Sequence, residues 1–294
     1  MKIYAAFFLF ALAATASAQE PTGTLKKIKD TGVITLGVRA ASIPLSFLDD
    51  KQQYVGYHVD ICSKVVDALK TRLQMPQLKV TTQEVTSANR QPQLVAGNID
   101  LECGSTTNTL KRQEEVSFAY TTFVTDVKIM TKAKHGLKSL ADLNGKILAI
   151  TKGTTTVSLI RQQEKGQGLD IKELEAQDHA QSFLNLENDR AVAFGLDDYL
   201  LAGFRANSKN PQDYVFLPEV LRTEPIALML RKDDPQFKEL VDTTLATLMK
   251  SGEMEKLYRK WFLSPIPPRG ANLNIPMSAA LKQAFAEPNN LGAK

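Results

Sequence analysis

The chain has 294 residues, 43% of them hydrophobic and 23% charged, with 2 Cys and 3 His. That length suits two domains of about 100–150 residues each, and the balance excludes a disordered chain, a collagen-like repeat, a disulfide-dense miniprotein and a multi-span membrane protein. Lys and Arg total 36 against 32 Asp and Glu, a net charge of +4 spread without a basic block, so no nucleic-acid partner is expected.

Residues 1–18 read as a secretory signal peptide. Lys2 precedes an apolar run over 3–14, and Ala16-Ser17-Ala18 forms a small-residue end before Gln19-Glu20-Pro21. The alternative is a membrane anchor, but the run is shorter than the roughly 20 apolar residues a spanning helix needs. No Cys follows Ala18, so lipid anchoring is not indicated, and residues 19–294 are expected to be exported and soluble. Export bears on Cys62 and Cys103, the only cysteines. An oxidising compartment favours a bridge, which over that span would constrain the unfolded chain by about 4 kcal/mol. Two buried free thiols are the alternative. No Cys or His cluster has metal-ligand spacing, so neither a metal nor a cofactor is expected.

In chain order, 33–38 is a β-rich run ending at Arg39. Over 60–75, Ile61, Cys62, Val65, Val66, Leu69 and Leu73 recur at helical spacing. A strand over 78–84, a short helix over 89–96 and a strand over 99–103 follow, the last leading into Gly104-Ser105-Thr106-Thr107. A second unit begins with a strand at 147–150. Gly153-Thr154-Thr155-Thr156 then precedes a helix over 157–163, and a strand at 191–194 runs on to Asp197-Asp198 before a helix over 199–206. Alternating strands and helices define an α/β fold with largely parallel sheets. Two amphipathic helices come next, one lined by Phe237, Leu240, Val241, Leu245 and Leu248, the other by Met254, Leu257, Tyr258, Trp261 and Phe262. The Pro-rich tail from Ser264 is expected to be an extended strap with a short helix over 279–286.

Ligands of open α/β sheets bind beyond the carboxyl ends of the strands. Arg39, Ser87, Arg90, Ser105, Thr107, Arg112, Thr154, Thr155, His179 and Asp197 all fall at or near such ends or at helix starts. Guanidiniums pair with carboxylates and helix N-termini offer free N–H groups to anions, so the set suits a small zwitterion with an extra negative charge. Each residue also has a plainer reading, as a solvated surface arginine or a helix N-cap. The residues alone support an exported two-domain α/β protein with a cationic cleft.

Several segments resemble the periplasmic glutamate/aspartate-binding proteins of ABC import systems, within the polar amino-acid solute-binding proteins. They include Gly56-Tyr57, Ser87-Ala88-Asn89-Arg90, Glu102-Cys103-Gly104-Ser105-Thr106-Thr107-Asn108, Arg112-Gln113, Gly153-Thr154-Thr155 and Asp178-His179. Arg190-Ala191-Val192-Ala193-Phe194, Leu230-Arg231-Lys232-Asp233-Asp234-Pro235, Trp261-Phe262 and Pro265-Ile266-Pro267-Pro268 complete the set. The resemblance implies a two-lobed periplasmic binding protein fold of type II, with lobe one over 24–122 and 224–294, lobe two over 123–223, two hinge strands and a cleft between the lobes. It implies a monomer that binds L-glutamate and L-aspartate and serves a membrane permease of an ABC transporter, without catalysis. Arg112 would hold the α-carboxylate with N–H groups near Thr107 and Thr155, Asp197 and Ser105 would take the ammonium, and Arg39, Ser87, Arg90 and a charged His179 would surround the side-chain carboxylate. Some relatives have a second Cys near the Arg231-Lys232 strand, where this chain has Leu228 and Met229, leaving Cys62 as the only partner for Cys103. A sensor that presents the amino acid to a receptor and an enzyme resembling cyclohexadienyl dehydratase are the competing expectations.

Overall fold

The computed structural model describes residues 20–294, and the expected signal peptide lies outside the described residues. Two sheets organise the chain. The first has five strands in the order Lys79–Glu84, Val33–Val38, Leu101–Glu102, Met229–Arg231 and Val116–Phe118. Its first three strands are parallel, and Met229–Arg231 runs antiparallel to both of its neighbours. The second sheet follows the order Lys172–Ala176, Ile147–Thr151, Ala193–Asp197, Phe123–Lys132 and Tyr214–Phe216. Phe123–Lys132 also pairs along its first half with Arg222–Ile226.

The chain crosses from the first sheet to the second between Phe118 and Phe123 and returns between Ile226 and Met229. The two crossings lie side by side, with Thr122 N–H donating to Ile226 O at 2.9 Å and Ala119 N–H to Leu228 O at 3.0 Å. Each sheet with its covering helices is one lobe, and among the described residues only these two strands of chain connect them.

The central parallel strands Val33–Val38 and Ile147–Thr151 are apolar because both faces are covered, whereas the edge strands Lys79–Glu84 and Lys172–Ala176 are more polar and largely unburied. Ile34, Leu36 and Val38 are buried in one, and Leu148, Ala149 and Ile150 in another. The helix Tyr57–Leu73 buries Ile61, Cys62, Val65, Val66 and Leu69 along one stripe. Pro235–Lys250 starts where Pro235 loses no hydrogen bond and where Asp234 accepts from Phe237 N–H. Aromatic rings concentrate at the crossings: Phe123 stacks on Phe262 with centroids 4.9 Å apart and meets Tyr199 edge-on at 4.7 Å. Such pairs contribute about 0.5–1.5 kcal/mol each beyond the area they bury. The second lobe has a further core of Ile129, Leu140, Leu143, Leu148, Ile150, Ile160 and Ile171.

Several boundaries differ from the sequence reading. The strand expected over 99–103 is only Leu101–Glu102, because just before it Thr35 N–H donates to the Asp100 carboxylate at 2.9 Å and the Ile99 carbonyl accepts from Arg231 Nη1 at 2.8 Å, which takes both groups out of the ladder. The helix expected over 157–163 runs Thr155–Gln167, ended by Gly168 in a left-handed conformation. The first long helix stops at Leu73, where Gln74 turns left-handed. The short helix in the tail is Ala279–Ala286. Cys62 and Cys103 are bonded to each other, with Cα atoms 6.3 Å apart, which decides between bridge and free thiols. The bond ties the long helix to the end of strand Leu101–Glu102.

Candidate ligand-binding site

Arg39 follows strand Val33–Val38 directly and is 2% exposed, so it is not a solvated surface arginine. Its backbone N–H donates to Ser46 Oγ at 2.9 Å, which fixes the direction in which the side chain leaves the strand. Arg90 opens the helix Arg90–Val95 and is 3% exposed. Burial lowers the pKa of both guanidiniums, and the charge of Arg90 adds to the effect on Arg39, which falls to about 10. Between these cations stands Glu102, fully buried, with Oε1 at 4.0 Å from Arg90 Nη1 and Oε2 accepting from Thr106 Oγ1 at 2.7 Å. Gly104 makes this approach feasible, since a Cβ there would lie 2.1 Å from Glu102 Oε1 and 2.8 Å from Arg39 Cγ.

His179 reaches the same place from the other lobe. It begins the helix His179–Glu187, which Asp178 caps by accepting from Gln181 N–H at 2.9 Å. Its Nδ1 lies 3.0 Å from Thr151 Oγ1. Burial, then Arg39 and Arg90, hold its pKa well below 6.5. Without a ligand carboxylate beside it, burial and then the two guanidiniums favour the neutral imidazole over the charged form expected for His179.

The second group of residues spans the lobes. Arg112, half-buried in the short helix Leu110–Gln113, donates to Thr107 O at 2.8 Å and, across the gap, to Gly153 O at 3.1 Å. Burial and Arg90 lower its pKa to about 9. Thr107 Oγ1 and Thr155 Oγ1 both donate to Glu224 Oε2, at 2.7 and 2.8 Å, while Arg222 clasps the other oxygen with Nε at 2.8 Å. Thr155 is the first residue of helix Thr155–Gln167, whose N-terminus has no side-chain cap. Asp197 ends its strand without capping the next helix, and burial followed by Glu224 and Asp198 raises its pKa well above 3.8. Ser105 Oγ donates to Ser42 Oγ at 3.1 Å.

Apart from Ser105, whose hydroxyl meets Ser42, eight of the ten expected residues come together across the lobes through these contacts and charges, Ser87 by its approach to Gly153. Thr154 does not: its hydroxyl donates back to Thr151 O at 2.8 Å and closes the local turn. Its neighbour Gly153 has φ +80° and lies so close to the other lobe that a Cβ would be 2.6 Å from Ala88 Cα. Sequence reasoning did not single out Glu102, Glu224 with Arg222, or Tyr199. A carboxylate between the buried neighbours Leu101 and Cys103 was a legible sign for Glu102, whereas nothing near Glu224 marked it.

Buried polar atoms without a hydrogen-bond partner concentrate here: Arg39 Nη1, Ser87 Oγ, Arg90 Nη1, Glu102 Oε1, Asp197 Oδ1 and Tyr199 Oη. Buried polar groups are otherwise almost always paired. Around them Arg39, Arg90, Arg112 and Arg222 face Glu102, Glu224 and Asp197, with Asp178 and Asp198 also acting on the cluster. The arrangement suits a small solute that offers acceptors to the arginines and a donor to Asp197. Among the described residues, no group of three or more His, Cys, Asp or Glu could hold a metal ion.

Two lobes joined by two crossings, with an incompletely paired polar cluster between them, define a solute-binding protein. The model of bacterial extracellular solute-binding proteins, family 3, matches residues 34–264, and the chain belongs to that family. It is 43% identical over 267 residues to the glutamate/aspartate import solute-binding protein of Escherichia coli (strain K12), covering 91% of this chain and 88% of that protein. It is also 43% identical over 284 residues to the L-glutamate/L-aspartate-binding protein of Pseudomonas aeruginosa, covering 96% and 94%. Among solved structures, a variant of ArgBP from T. maritima matches with a TM-score of 0.72 at 28% identity, covering 81% of this chain and 99% of that one.

Proposed function

We propose that this protein captures L-glutamate and L-aspartate between its lobes in the periplasm and delivers them to the membrane permease of an ABC import system. Residues 1–18 serve as its signal peptide, and it acts as a monomer. One lobe comprises residues 24–122 and 229–294 and the other residues 123–226, with the two crossings as hinges, the expected boundary at 224 being shifted to keep strand Arg222–Ile226 with the sheet it pairs in. The observation that carries this reading is the cluster of buried, unpaired polar atoms on Arg39, Ser87, Arg90 and Asp197, which brings two buried guanidiniums together with a carboxylate.

Arg112, with N–H groups near Thr107 and at the start of helix Thr155–Gln167, holds the α-carboxylate. Asp197 and Ser105 take the α-ammonium, whose charge brings Asp197 into its ionised form. Arg39, Ser87, Arg90 and neutral His179 surround the side-chain carboxylate. Each of these residues is assigned to holding the ligand, and none is assigned a catalytic role. Closure follows from the tighter grip of the closed state on the ligand.

An amide in place of the side-chain carboxylate would leave two buried guanidiniums short of a counter-charge, a cost of a few kcal/mol. Aspartate and glutamate differ by one methylene, worth about 1–3 kcal/mol. Calorimetric titration of ligand-stripped protein with L-glutamate, L-aspartate, L-glutamine and L-asparagine tests the reading. Both acids bind tightly, and the amides bind about a hundredfold more weakly or worse. Equal binding of the amides would show the side-chain end to be misassigned, and no binding by either acid would overturn the reading.

A further inference from the structure

We propose that Tyr199 is a further ligand-contacting and specificity-determining residue, whose phenol hydrogen-bonds the side-chain carboxylate beside Arg39 and Arg90 and limits how long an acidic side chain the site accepts. The inference rests on the functional reading above and deepens it at one position.

Tyr199 stands two residues past Asp197, in the first turn of helix Asp198–Asn207. It is 1% exposed and among the largest fully buried side chains. Packing fixes its ring, edge-on to Phe123, which is itself stacked on Phe262. The ring alone satisfies that packing, and a phenylalanine would serve it equally well. The hydroxyl is what packing does not explain, because its oxygen is buried and has no hydrogen-bond partner. A buried tyrosine hydroxyl usually has one, and leaving such a group unpaired costs about 1–3 kcal/mol.

The surroundings of the phenol identify the partner it fits. The charges acting on it are Asp197 and Asp198 from its own lobe and Arg90 and Arg39 from the other. The same two arginines each carry an unpaired buried Nη1. A carboxylate bound between those guanidiniums presents lone pairs to a phenol held against them by a rigid ring. Burial and the neighbouring carboxylates keep the phenol protonated, so it acts as a donor. Because Phe123 prevents the ring from retreating, its oxygen forms a wall of fixed depth, which penalises glutamate relative to aspartate.

Calorimetric titration of the wild type, Tyr199→Phe and Tyr199→Leu with L-aspartate and L-glutamate tests this, together with ligand-free thermal melts. Tyr199→Phe weakens both acids about tenfold, as expected for a hydrogen bond to a charged group. Its ligand-free melting temperature stays level or rises, whereas a purely structural hydroxyl would lower it. Tyr199→Leu deepens the site and raises the glutamate-to-aspartate affinity ratio about tenfold. Wild-type affinities in Tyr199→Phe overturn the contact, and an unchanged ratio in Tyr199→Leu overturns the role in specificity. A wild type that binds neither acid overturns the functional reading instead, which keeps the two failures distinct.

Discussion

Thr107 and Thr155 come from opposite lobes and donate to the same oxygen, Oε2 of the fully buried Glu224. With Arg112 reaching Gly153 O at 3.1 Å, this carboxylate fastens the lobes on the hinge side of the site. Removing only the hydroxyl that reaches Glu224 from the other lobe, in Thr107→Val, loses a hydrogen bond to a charged acceptor, worth about 1.5–3 kcal/mol, in the closed state alone. L-Glutamate affinity should fall at least tenfold while the ligand-free melting temperature barely changes. Glu224→Gln, by contrast, unpairs the Arg222 guanidinium and should destabilise the ligand-free fold as well, by about 3 kcal/mol. Urea titrations of the two variants separate these outcomes, and equal stability losses would refute the latch.

A second contact across the lobes involves Gly203, inside helix Asp198–Asn207. A Cβ there would lie 2.7 Å from Ile43 O on the other lobe. Alanine favours a helix interior by about 1 kcal/mol over glycine. Gly203→Ala should therefore hold or raise the ligand-free melting temperature while lowering ligand affinity tenfold or more, because only the closed form meets the clash. Unchanged affinity would mean that the lobes do not need this approach to hold the ligand.

Two buried histidines give the protein a defined response to acid. His58 donates from Nδ1 to Gly104 O, and burial lowers its pKa to about 4. Below pH 6.5 the unfolded chain takes up a proton that the folded state refuses, so stability falls as pH drops and levels off below about 4, a loss of about 3 kcal/mol. His58→Asn removes this titration. The stability advantage of wild type over variant should shrink by that amount between pH 7 and 4, and His179, shifted in the same direction, is common to both proteins. A constant gap would contradict the assignment. For binding, the neutral state of His179 predicts an L-glutamate affinity that is level from pH 6 to 8, and a tenfold fall over that range would restore a charged imidazole.

What the sequence made legible follows from how local each signal is. The stripe Phe237, Val241, Leu245 and Leu248 marks its helix because all four fall on one face within a few turns. Arg39 stands out because a β-branched run ends beside it. Strand Phe123–Lys132 escaped notice because apolar residues alternate with Thr, Asp and Lys along most of its length, and Lys132 is buried only through Glu187 and Asp189, more than fifty residues away. Lys172–Ala176 carries Lys, Glu, Leu and Ala, residues that favour helix, and becomes an edge strand only by pairing with Ile147–Thr151. Glu224 is invisible for the same reason, since its partners Thr107 and Thr155 lie 117 and 69 residues away. The neutral state of His179 depends on its burial and then on Arg39 and Arg90, which arrive from the other lobe.

The bridge between Cys62 and Cys103 adjoins the site, because Cys103 lies between Glu102 and Gly104. It closes a span of 41 residues and on the chain-entropy model contributes about 4 kcal/mol. The segment has other anchors: Cys103 N–H donates to Gly37 O at 2.8 Å, His58 holds Gly104 O, and Thr106 holds Glu102 at 2.7 Å. The double variant Cys62→Ala, Cys103→Ala should therefore lose most of that stability in urea titration. Titrated at low temperature, where it remains folded, it should keep its L-glutamate affinity within a few-fold. A large loss of affinity in the folded variant would make the bridge a positioning element for Glu102 and Ser105, since then the remaining hydrogen bonds would not hold the segment in register.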